Sequence, residues 1–172
     1  LLVDPSGAIT ARYDKLHVFD VDLPNGETYR ESAGVRPGDG AAVAKTPWGR
    51  LGLSVCYDIR FPHLYRQLAK AGARMIAVPA AFTAPTGEAH WEVLLRARAI
   101  ENTVYVAAAG QRGPLGAGNS MIVDPMGVVL GSLGERTGVL RTPVTRDRIT
   151  EVRGVNPALQ LRRFRCVPHT PA

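Results

Sequence analysis

Apolar and polar positions along the chain form short runs that switch between a two-residue and a helical period. Leu1-Leu2-Val3 and Ala8-Ile9-Thr10-Ala11-Arg12-Tyr13 flank Asp4-Pro5-Ser6-Gly7. Pro and Gly so placed predict a β-turn, hence a hairpin. The same pattern returns in Ile122-Val123-Asp124-Pro125-Met126-Gly127-Val128-Val129-Leu130, one internal echo that predicts a second hairpin of similar part. Residues 41–45 and 51–55 read as strands about a turn at Thr46-Pro47-Trp48-Gly49. After Phe61-Pro62 the period becomes helical, with Leu64, Leu68 and Ala71 on one face and Gly72 as the stop. An apolar strand is predicted over 73–80 and another over 103–109. Between them Thr86 is expected to cap a helix running to Asn102, with Trp91, Leu94, Leu95 and Ala99 on one side. Glu92 and Arg96, four apart, form a pair on that helix. Residues 20–40, rich in Asp, Pro, Gly and Glu, predict a long ordered loop.

Strands alternating with helices predict a single α/β domain over residues 1–172, with helices covering one sheet face. The strands are apolar throughout, so the other face is expected to be covered too. At 172 residues, 45% hydrophobic and 21% charged, the chain has the composition of an ordinary globular domain. No apolar run approaches the ~18 residues of a membrane span, and no signal-peptide succession opens the chain. Leu1, inside an apolar run, reads as a chain entered partway through.

Net charge is +6, with much of the excess late in the chain. Recognised nucleic-acid motifs and base-stacking aromatics are missing, so the basic tail reads as solvated or subunit-facing. The two cysteines, Cys56 and Cys166, are too few for a disulfide framework or a soft-ligand metal cluster. A reduced, cytoplasmic protein without metal or organic cofactor is expected.

Cys56 ends a predicted buried strand and precedes a helix. In α/β folds that is where ligands and nucleophiles collect, and following backbone N–H groups can hold an oxyanion. By position alone an inert buried cysteine is the favoured reading. A nucleophilic thiol needs a basic or cationic neighbour.

The surrounding residues carry a resemblance. Tyr13-Asp14-Lys15-Leu16-His17-Val18-Phe19-Asp20-Val21-Asp22-Leu23-Pro24 resembles the lysine motif of the nitrilase superfamily's Nit branch. Glu31-Ser32 with Pro37-Gly38 is similar to its following glutamate segment. Gly52-Leu53-Ser54-Val55-Cys56-Tyr57-Asp58-Ile59-Arg60-Phe61-Pro62 resembles its cysteine motif, and residues 86–92 and 96–102 its next helix. The order and spacing fit, and the resemblance spans nearly the whole chain.

The resemblance implies the C-terminal portion of a four-layer αββα sandwich, a small amide as substrate, no nucleic-acid or membrane partner, and a homo-oligomer. It implies hydrolysis of a linear amide of the ω-amidase or deaminated-glutathione-amidase kind, with an N-carbamoyl amino acid hydrolase as the nearest alternative. Cys56 forms a thioester, Lys15 and the Tyr57 N–H stabilise the oxyanion, and Glu31 positions Lys15. Tyr57, Arg60 and Phe82 are candidate substrate-binding residues. Arg60 suits a substrate carboxylate or an anchor for Asp58 or the helix. His17 and His90 are expected in hydrogen-bonded structural roles. Glu92, Arg96, Arg98 and Glu101 are expected in helix ion pairs or dimer contacts. The loop 111–120, with Asn119 where the family commonly has His, is expected to shape the pocket.

The superfamily's general-base glutamate precedes its lysine by many residues. The fourteen residues before Lys15 hold Asp4 and Asp14 but no Glu, and Asp14 is expected to point away from Lys15. A non-catalytic binding relative therefore stands as a second alternative. The expectation is a truncated enzyme whose 172 residues alone are inactive and poorly stable, for want of sheet partners.

Overall fold

The computed structural model describes residues 1–23, 26–83, 86–113, 116–165 and 167. Strands β5 (Ala42–Thr46), β6 (Gly49–Leu53), β7 (Met75–Ala80), β8 (Tyr105–Gly110), β11 (Met121–Val123) and β12 (Val129–Ser132) form one sheet in the order β12-β11-β8-β7-β6-β5. The β6, β7 and β8 strands are parallel, and the flanking pairs are antiparallel. The α/β expectation is met by a mixed sheet. Two helices, α1 (Pro62–Lys70) and α2 (Glu92–Asn102), make the crossovers and pack on one face.

That face holds the core. Ile76, Val78, Val106, Met121 and Val123 point into it from the sheet, and Leu64, Tyr65, Leu68, Trp91, Leu95 and Ala99 from the helices. Each fully buried side chain of this size contributes ~1.5–3 kcal/mol from area alone. A Cβ on Gly52 would lie 3.2 Å from a Leu68 methyl, so α1 rides close over β6 at a residue without a side chain. The opposite face is covered only in part among the described residues. Leu53, Met75, Ala77, Ala107 and Ile122 stay half-buried there.

Helix α1 ends as its glycine predicts. Gly72, at φ +90°, donates to Ala69 O and Ala73 to Leu68 O, the paired bonds of a Schellman stop. Ala71 is exposed at the cap, so the buried stripe is Leu64, Tyr65, Leu68 and Ala69. Thr86 does not cap α2. Its hydroxyl meets Thr83 Oγ1 at 2.7 Å, and a π-helical turn (Gly87–Trp91) precedes the α-helix. Another helix, α3 (Arg146–Val155), forms in the basic stretch to which the pattern assigns no element. The Thr145 hydroxyl caps it, and Ile149 and Val152 are buried beneath it.

The echoed hairpins share one turn chemistry. Asp4, between β1 (Leu2–Val3) and β2 (Ile9–Ala11), accepts Gly7 N–H on its carbonyl and Ser6 and Ala8 N–H on Oδ1. Asp124 accepts Gly127, Met126 and Val128 N–H in the same way, and buried Oδ2 also takes Arg148. Residues 20–40 correct the loop expectation. They contain an antiparallel hairpin of β3 (Asp20–Asp22) and β4 (Thr28–Arg30) and a 3₁₀ turn (Glu31–Ala33). Asp20 and Asp22 are strand residues facing Arg30 and Thr28, while Val21 and Tyr29 pair between them on the half-buried side.

Short strands β9 (Arg112–Gly113) and β10 (Gly116–Ala117) form a small ribbon after β8. Among the described residues no helix is long and apolar enough to cross a membrane.

Candidate active site

Strand β6 stops at Leu53, so Cys56 lies three residues beyond it and not at its last position. Val55 is still extended, and Cys56 opens a 3₁₀ turn (Cys56–Arg60). Its φ is +50°. Left-handed backbone costs a non-glycine residue ~1–2 kcal/mol and persists where the surroundings fix it. Here the turn is closed on both sides of Cys56, by Asp58 N–H to Val55 O at 3.1 Å and Val55 N–H to Asp58 Oδ2 at 2.9 Å. Arg98 of α2, 5% exposed, donates from Nε to Ile59 O at 2.9 Å and holds the turn from behind. It also pairs with Glu101 at 3.2 Å, one of the expected helix ion pairs. Glu92 and Arg96 form another at 3.5 Å.

Lys15 is buried, and its Nζ donates to Glu31 Oε2 at 2.5 Å. The same oxygen accepts Phe19 N–H at 2.6 Å. Glu31 thus ties the lysine to the start of the β3–β4 hairpin. Asp14, as expected, faces away: it is half-exposed and pairs with Arg12 at 3.0 Å.

These segments meet around a cavity of about 850 Å³. All six residues singled out from sequence line it: Cys56, Lys15, Glu31, Tyr57, Arg60 and Phe82. Its walls also include Phe19 and Thr86, which belong to the lysine motif and to the following helix motif, and Tyr29, Arg30, Thr83 and Gln111, which carry no motif signal. Among the described lining residues Glu31 is the only carboxylate.

Arg60 does not bond Asp58. Its guanidinium lies 5.3 Å from the Phe82 ring centre and 5.8 Å from that of Tyr57, and it meets His90 Nδ1 at 3.2 Å. His17 stacks flat on Phe61, centroids 3.6 Å apart, and its Nδ1 lies 2.8 Å from Asp58 Oδ1. Both histidines are therefore hydrogen-bonded neighbours of the site. An aromatic chain continues through edge contacts from Phe61 to Tyr57 and from Tyr57 to Phe19, binding the lysine segment to the cysteine turn. Tyr13 holds its proton well above the ordinary tyrosine range, through burial first and then its hydrogen bond to Asp58.

Gln111 brings the loop 111–120 to the cavity, but Asn119 does not line it. At φ +57°, Asn119 accepts Trp91 Nε1–H on its carbonyl and Ser132 Oγ–H on its side chain. Pro24, Pro114, Leu115 and Cys166 lie outside the described residues. Among the described residues no group of three or more His, Cys, Asp or Glu could hold a metal ion.

Comparison with known proteins places this geometry in context. The family model described as carbon-nitrogen hydrolase matches residues 1–154. A deaminated glutathione amidase of Synechocystis sp. is 49% identical over 170 residues, covering 95% of this chain and 62% of that protein. The chain thus spans about three fifths of the length of that relative. Among solved structures, the Caenorhabditis elegans NitFhit protein aligns with a TM-score of 0.85 and 41% identity, over 94% of this chain and 40% of that one. An amidase of Nesterenkonia sp. AN1 aligns at 0.71 and 32%, over 92% of this chain and 61% of that one. That structure shows the result of Michael addition of acrylamide at its active site cysteine.

Proposed function

The chain belongs to the carbon–nitrogen hydrolase family, and on that premise we propose that the protein carrying it hydrolyses the amide of a small linear substrate, with Cys56 as nucleophile. The observation that carries the reading is the Lys15–Glu31 pair on the wall of the same cavity as Cys56. An ammonium beside a thiol favours the reactive thiolate and offers charge to an oxyanion. A carboxylate beside that ammonium orients it.

In this reading Cys56 sulfur bonds to the amide carbon as the carbonyl electron pair moves to oxygen. Lys15 Nζ and the Tyr57 N–H stabilise that oxyanion. The carbon–nitrogen bond breaks, the nitrogen takes a proton and leaves as ammonia, and a thioester remains on Cys56. Water then adds to the thioester carbon, the carbon–sulfur bond breaks, and acid and thiol are released. Removing protons from thiol and water needs a general base. Glu31 is ill-suited to it, since its Oε2 already takes two donors. In the family that base is, by resemblance, a glutamate preceding the lysine, and the fourteen residues before Lys15 hold no Glu. The 172 residues alone are therefore expected to release no ammonia, and measurable turnover by them would count against this assignment.

Arg60 favours a substrate with a carboxylate at the end away from the amide. A guanidinium fork matches a carboxylate bidentately, and the Tyr57 and Phe82 rings hold it in place. This supports an ω-amidase or deaminated-glutathione-amidase reaction, as in the Synechocystis relative. A cytoplasmic homo-oligomer goes with the reading, and sedimentation velocity of the full gene product tests its assembly. Acid quenching during turnover of a dicarboxylic acid monoamide tests the chemistry. The expected result is an acyl adduct on the peptide carrying Cys56, with ammonia and no carbon dioxide released. Turnover with an adduct on another residue, or with carbon dioxide, overturns it.

A further inference from the structure

Asp58, two residues after Cys56, is fully buried yet sits behind the cavity wall and not on it. Burying a carboxylate costs several kcal/mol unless donors satisfy its oxygens. Four do. Oδ2 accepts Tyr13 Oη–H at 2.7 Å and Val55 N–H at 2.9 Å. Oδ1 accepts His17 N–H at 3.1 Å and faces His17 Nδ1 at 2.8 Å. Facing an acceptor-only carboxylate, Nδ1 carries the imidazole proton.

Those donors come from two places. Val55 belongs to the cysteine turn. Tyr13 and His17 bracket Lys15, and the Tyr13 oxygen also accepts Leu16 N–H at 3.3 Å. The backbone of Lys15 is held from its other side, where Gly38 N–H donates to Lys15 O at 2.9 Å. A Cβ on Gly38 would lie 2.2 Å from Asp14 O, so that contact is tight. One carboxylate thus joins the segment that carries the lysine to the turn that carries the thiol.

An amide cannot replace it. Asparagine has one acceptor oxygen, so its NH₂ would face either the Tyr13 and Val55 donors or both His17 donors. The acceptor-only group is required by the number of donors converging on it.

We infer that Asp58 is a positioning residue that, through Tyr13 and His17, fixes the Lys15 ammonium against the Cys56 sulfur. The inference rests on the proposed role of Cys56 and Lys15. It concerns their relative placement, where an error of ~1 Å costs about 100-fold in rate.

The test uses the full gene product and two readouts, amide turnover and alkylation of Cys56 by iodoacetamide. Asp58→Asn is expected to lower kcat about 100-fold with KM within about threefold. Tyr13→Phe keeps the ring, removes one donor, and decides the matter if Asp58→Asn does not fold. It is expected to lower kcat about tenfold and to slow alkylation, as Lys15→Met does, by about tenfold. Combining Tyr13→Phe with Lys15→Met should slow alkylation no further than Lys15→Met alone. A merely structural role moves alkylation the other way, because a loosened turn exposes the thiol. Faster alkylation, a multiplicative loss in the double variant, or wild-type kcat in Tyr13→Phe overturns the inference. Turnover retained by Cys56→Ala would instead overturn the underlying assignment of the nucleophile.

Discussion

Lys15 and Glu31 lie sixteen residues apart and meet at one carboxylate oxygen, which takes the ammonium at 2.5 Å and the Phe19 N–H at 2.6 Å. Such an oxygen serves as an anchor. Glu31→Gln keeps the shape and removes the charge that orients the ammonium. In the full gene product kcat should fall about 100-fold, as when an oxyanion donor is lost. Thermal denaturation, measured alongside, should show a folded variant. Unchanged kcat would separate Glu31 from the chemistry.

Lys15→Arg retains the positive charge but replaces a compact ammonium with a broad fork in a buried site. Turnover should fall about 100-fold here also, since the donor no longer lies where the oxyanion forms. Steady-state kinetics showing full rescue by arginine would mean that charge alone matters and position does not.

Gly110 lies at the end of β8 on the cavity wall. A Cβ there would sit 1.9 Å from Gly118 O, which is backbone and has no side chain to swing aside. Gly110→Ala is expected to displace the loop that carries Gln111 and to raise KM several-fold, with destabilisation of ~1–3 kcal/mol. Substrate titrations and chemical denaturation measure the two effects. A variant equal to wild type in both would show that the loop yields freely.

Tyr13 and Tyr65 both bind their protons more tightly when folded than a free tyrosine does at pH 10.0, burial being the first cause for each. Above that pH the unfolded chain ionises while the folded one does not. The stabilisation is therefore complete below about pH 10 and is lost as pH rises further. Tyr13→Phe should make stability fall less steeply above pH 10 than in wild type. Parallel alkaline limbs in urea titrations would contradict the buried, protonated phenol.

The parts of this fold legible in sequence are those with a local cause. Gly72 stops α1 because only φ +90° closes the two bonds to Leu68 and Ala69. The Asp4 and Asp124 turns were readable because Asp, Pro and Gly stand at fixed offsets. Motif spacing alone marks the cavity residues, since no periodicity joins Lys15, Glu31 and Cys56. What escaped depends on contacts between distant segments. The β3–β4 hairpin has only three residues in each strand and is held partly by polar pairs such as Arg30 with Asp22, at 2.6 Å, so its alternation about Val21 and Tyr29 is too short to stand out. Arg98 looked like one more charged helix position, yet it bonds Ile59 O thirty-nine residues away. Asp58 gave no local sign of the four donors that converge on it, because two of its three partner residues lie more than forty positions earlier.

The central claim is that Cys56 performs the chemistry in the cavity it shares with Lys15 and Glu31. Ammonia release by the purified Cys56→Ala full gene product, on a dicarboxylic acid monoamide that the wild type hydrolyses, tests it most directly. The account predicts a folded protein with no release above the blank. Ammonia release that scales with the amount of that variant would contradict it.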